Sequence, residues 1–222
     1  DESSPGRFAF DGPPIHRDDL KQAGLSWNVS YRDVENGTGK GFDHPQWGAD
    51  RRARVQEVFS YLSAVISPST PVVLQMQFDV SQTDGSGALA TGGTFFFPTP
   101  GFTGGFAHEH ITTGSDPSGT LPDLFSEFDF GWSWNQTSDP PAANEIDLYS
   151  VLLHELTHGL GFLSLVDSDG SSRIANGVYT LYDDLLIDGG GRDLFALQGN
   201  NAAYLGEQDT LTGGDGGVFF MG

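Results

Sequence analysis

The sequence contains no cysteine, so it can form no disulfide, no thiolate metal site and no cysteine nucleophile. It is also poor in cations. Ten Lys plus Arg stand against thirty Asp plus Glu, a formal charge of -20, which argues against nucleic acid or an anionic membrane surface as a partner, since phosphate binding needs clustered cations. Arg51, Arg52 and Arg54 are the one cationic cluster, and on a predicted helix they read as a solvated face. No run of eighteen apolar residues is present, so no membrane span is expected. The G-x-S-x-G turn of a serine hydrolase and the G-x-x-x-x-G-K-S/T loop of a nucleotide-binding protein are both missing.

What is there suits one sizeable domain, because 222 residues can bury a core without covalent staples. Residues 1–24 are rich in Pro and Gly and lack a sustained period, which predicts an irregular arm. Trp27, Val29 and Tyr31 alternate with polar residues as in a half-buried strand, closed by Gly37, Gly39 and Gly41. From Ala49 to Ile66 the apolar residues recur at three and four residue spacing, the stripe of a core-facing helix that Pro68 stops. Strands are expected at 72–80, 94–97, 106–112 and 124–130, with a loop at SQTDGSG. A second helix is expected from about Glu145 to Leu160, capped by Asn144 and ended by Gly159 and Gly161. Strand, helix, several strands, helix is the order of an α/β layered domain, and no repeat or linker marks a second domain within residues 25–222.

The predicted second helix carries His154-Glu155-Leu156-Thr157-His158. Residues four apart lie one turn above each other on one face, so the two imidazoles can converge on one ion. Glu155 points about a quarter turn away, where a carboxylate can take a proton from an activated water. Chance produces His-Glu-x-x-His in a chain of this length about once in a hundred sequences. The spacing therefore predicts a Zn2+ site with His154 and His158 as ligands, Glu155 as general base and acid, and a peptide or protein as substrate.

HELTHGLGF, at 154–162, resembles the metzincin signature, in which a Gly after the second His turns the chain toward a third histidine; Gly161 stands at that Gly. The compact metzincin pattern fails, because Ser164 occupies the third position and no histidine follows His158. Over residues 26–222, DGSGALATGGTFFF, FGWSWN and DLYSVLLHELTHGLGFLSLV resemble leishmanolysin-like bacterial secreted metalloproteases, which insert a long segment before the third His and a Met-turn. The resemblance implies a metzincin-like zincin lobe: a twisted mixed sheet, a backing helix and an active-site helix. It also implies a third ligand and a Met-turn beyond Gly222, with Met221 an ordinary residue. Asp183 and Asp184, 25 and 26 residues past His158, are the alternative in-chain ligands, although LYDDLLID also fits a short helix with solvated acids.

Other signals are weaker. His108 and His110 would share one side of a strand with Glu109 opposite; a second metal site there lacks a third ligand, so a surface pair on an edge strand is the reading, and the metzincin resemblance implies that this strand lines the cleft and pairs with extended substrate. Asp167-Ser168-Asp169-Gly170 is a fragment of a calcium loop without its distal Glu, and structural Ca2+ is conceivable without a located site. His16 and His44 read as structural. The start on Asp1 and Glu2, with glycine-rich turns, low lysine and acidic excess, suggests a secreted, extracellular protein. A non-catalytic binding lobe with an incomplete metal site is the competing expectation.

Overall fold

The computed structural model describes residues 24–82, 87–206, 210–214 and 216–221. The expected N-terminal arm falls almost wholly on residues 1–23, outside the described residues, as do 83–86 of the SQTDGSG loop. The chain opens with β1 (Leu25–Tyr31), in which Trp27 stacks on Phe59 with centroids 4.3 Å apart. A one-turn helix, α1 (Arg32–Asn36), follows directly and is closed by Gly37 at φ 64°, a left-handed conformation that suits glycine. Of the glycines expected to end the strand, Gly37 thus ends a helical turn instead.

The backing helix is α2 (Gly48–Val65), which buries Val55, Val58, Phe59 and Leu62. His44 prepares its start, Nδ1 accepting from the N–H groups of Gln46 and Trp47. The expected solvated arginine face is not what the structure contains. Arg51 and Arg54 are buried: Arg51 donates to Gln136 and to the carbonyls of Lys40 and Gly41 and lies 3.8 Å over the Phe130 ring. Desolvation lowers the Arg51 pKa to about 10, and nearby Asp33 and Asp43 offset part of that cost. Charge periodicity alone misses this, because the partners are loop groups distant in sequence.

Strand β2 (Val72–Ser81) alternates as predicted, with Val72, Leu74, Met76 and Phe78 buried. Strand β3 (Ala90–Thr94) lies earlier than the expected 94–97. Its Gly92 lets the helix that carries Glu155 approach, since a Cβ there would sit 2.4 Å from the Glu155 carbonyl oxygen. After β4 (Gly101–Thr103), residues 106–112 form not a strand but α3 (Gly105–Thr113). Phe106, Ala107 and His110 are buried there while Glu109 is exposed, a helical face that so short an apolar run does not distinguish from alternation.

Strand β5 (Leu124–Asp129) completes a four-stranded mixed sheet of order β1-β2-β5-β3, parallel except for the antiparallel β3–β5 pair at its edge. The 132–144 loop holds β6 (Trp134–Asn135), which pairs with β7 (Ile146–Asp147) just before α4 (Leu148–Gly159). Helices α2 and α4 pack together, α2 over β1 and α4 over β3 and β5. Phe42, Phe78, Leu74, Phe128, Leu152 and Leu156 fill the core between these elements. Each fully buried side chain of this kind contributes about 1.5–3 kcal/mol.

Beyond α4 come short strands: β8 (Val178–Thr180), parallel to β4; β9 (Leu186–Asp188); the hairpin β10 (Phe195–Gln198) and β11 (Asn201–Tyr204); and β12 (Val218–Phe220), antiparallel to β9. A smaller core of Tyr179, Leu186, Leu194, Phe195 and Ala202 holds them. Among the described residues no helix is long and apolar enough to cross a membrane.

Candidate metal centre

Asp147 caps α4, its carboxylate accepting from the Ser150 N–H; the expected Asn144 lies outside the helix. Leu148, Leu152 and Leu156 recur every fourth position and are buried, which fixes the rotation of the helix on the sheet. Gly159 has no Cβ where Leu124 would meet one at 3.0 Å, so the last turn also lies close to β5. This rotation leaves His154 exposed, His158 half-buried and Glu155 buried at 8 % exposure.

The two imidazoles converge. His154 Nε2 and His158 Nε2 are 3.0 Å apart, with rings nearly perpendicular at 85°. Tetrahedral zinc with Zn–N distances of about 2.0–2.1 Å requires an N···N separation of about 3.3 Å, so the pair is within a few tenths of an ångström of that geometry. His158 Nδ1 lies 2.7 Å from the Phe162 carbonyl. A carbonyl only accepts, so Nδ1 carries the proton and, in the neutral ring, the Nε2 lone pair is left for a metal. The carbonyl reaches back because Gly161, at φ 114°, turns the chain out of the helix, and Phe162 N–H closes the turn onto Thr157.

Burial raises the Glu155 pKa above the ordinary carboxylate value, and the charges of His154 and His158 oppose that shift. The residues predicted for chemistry are thus brought together on one helix, and the group sequence reading missed is the Phe162 carbonyl, a backbone atom that no side-chain motif marks.

Neither acidic alternative joins the pair. Asp183 is wholly buried in the second core, its Oδ2 accepting from the N–H groups of Leu165 and Thr180. Asp184 is exposed, and among the described residues neither carboxylate forms a three-ligand group with the histidines within 4.8 Å. The expected His108–His110 pair is also undone: on α3 two residues apart is more than half a turn, and the rings part company. The D-x-D-G segment is a tight acidic turn in which Asp167 pairs with Arg173 at 3.0 Å and Asp169 accepts from Ser171 N–H.

No family model matches the chain, and no curated protein or solved structure matches it significantly.

Proposed function

We propose that this chain is a zinc-dependent endopeptidase, a metzincin-like zincin lobe secreted to act on protein or peptide substrates outside the cell. The observation that carries the reading is the 3.0 Å approach of the His154 and His158 Nε2 atoms, with His158 held in the metal-binding tautomer by Phe162. His154 and His158 are the metal ligands and Glu155 the general base and acid. Among the described residues no third imidazole or carboxylate joins the pair.

When bound, zinc supplies a water with a pKa near about 7 and an electrophile for the scissile carbonyl. Glu155 accepts the proton of the attacking water and delivers it to the leaving amine. Its partial shielding from solvent suits a carboxylate that must release as well as take a proton. The edge strand β3, beside α4, offers backbone groups to an extended peptide by strand addition, the part the sequence assigned to 106–112.

A second reading, a binding lobe that holds metal weakly and cuts nothing, is favoured by the two-ligand set alone. Glu155→Gln separates them. As an endopeptidase, the variant keeps zinc and loses about 10²–10⁴-fold in proteolysis; cleavage unchanged from wild type removes Glu155 from the mechanism.

A further inference from the structure

We infer that His110, Asp116 and Asp123 form a second site, for a divalent transition-metal ion, that ties the end of α3 to the loop after it and to the start of β5. One ring nitrogen of His110 and one oxygen of each aspartate lie within 4.8 Å of one another. Three side chains from three successive segments thus meet at one point.

Their surroundings are those of ligands rather than of a surface ion pair. Asp123 has no exposed surface, and its two oxygens lie 3.2 Å from His110 Nδ1, Oδ2 also accepting from Gln75 N–H at 2.7 Å. No Arg or Lys forms a salt bridge with Asp123 or Asp116 among the described residues, so the buried carboxylate depends on this cluster for positive charge. His110 is nine-tenths buried, and its other ring nitrogen, Nε2, faces solvent rather than a protein partner among the described residues. Asp116 stands at the exposed mouth, one oxygen fixed by Ser118 N–H, Gly119 N–H and Ser118 O–H, close enough to feel the His110 charge.

One imidazole nitrogen with two carboxylates selects borderline ions such as Zn2+ over Ca2+, which takes oxygen ligands. Three protein ligands leave a position for water at the mouth. The ion would brace the strand on which the active-site helix rests, since Leu124, next to Asp123, lies under Gly159.

The site is independent of His154 and His158, and the test is arranged to keep the two apart. The full chain carrying His154→Ala and His158→Ala is titrated with zinc. One equivalent still binds, and Tm rises by roughly 5 °C or more at about a hundred times Kd. Adding Asp116→Ala, an exposed position whose loss leaves the fold intact, weakens that binding at least tenfold, and His110→Ala does the same. Calcium produces no such rise. The proposal is overturned if the double variant binds no zinc, or if zinc binding survives Asp116→Ala and His110→Ala unchanged, or if calcium rather than zinc gives the shift.

Discussion

His158 Nδ1 donates to the carbonyl of Phe162 across 2.7 Å, and that contact exists because Gly161 turns at φ 114°. A Cβ on Gly161 would meet nothing closer than the Gly104 oxygen at 3.6 Å, so replacement strains the backbone without crowding it. Gly161→Ala should cost about 1–3 kcal/mol of stability. By moving the carbonyl it should also weaken zinc binding about 10–100-fold. Chelator competition on the folded variant measures this; wild-type affinity would show that the carbonyl does not orient the ring.

Asp183 and Asp184 separate structure from metal binding. Asp183→Ala should destabilise by about 1–3 kcal/mol, because the N–H groups of Leu165 and Thr180 lose a buried acceptor. Asp184→Ala, at an exposed position, should be nearly neutral. Urea unfolding gives the stabilities and zinc titration the affinities. Neither variant should change zinc affinity, and a loss in either folded protein would restore that aspartate as a ligand.

Much of this was legible in sequence where side-chain pattern and structure share a cause. The alternation of Trp27, Val29 and Tyr31, the stripe of α2, and the His-Glu-x-x-His spacing all depend on the repeat of one element. What was hidden depends on other elements. The role of Gly92 shows only once Glu155 lies over it, Arg51 looks solvated until Gln136 and Phe130 enclose it, and His110 looks paired with His108 until a helix turns it toward Asp123. The short strands after α4 are separated by glycines and carry too little period to be read singly.

Asp33 and Asp43 predict a pH dependence remote from the metal centre. Asp33 is buried, and burial raises its pKa, whereas backbone N–H groups help hold that of Asp43 below its ordinary value. A carboxyl raised on folding binds more protons folded than unfolded, so its contribution is full below the unfolded pKa and is lost as pH rises through the folded one. Asp43 has the opposite sign, its contribution being lost as pH falls below the ordinary carboxylate range. Asp33→Asn, whose amide can donate to Asp43 without ionising, should therefore lessen the loss of stability as pH rises above about 4. Urea midpoints across that range test it; parallel profiles for variant and wild type would contradict it.

Two imidazole nitrogens sharing one zinc ion is the claim on which the enzymatic reading stands. Crystals of the zinc-loaded protein, with diffraction recorded on both sides of the zinc absorption edge, locate the ion directly. The account predicts an anomalous peak about 2.0–2.1 Å from Nε2 of both His154 and His158; zinc-loaded crystals with no peak between those two atoms would contradict it.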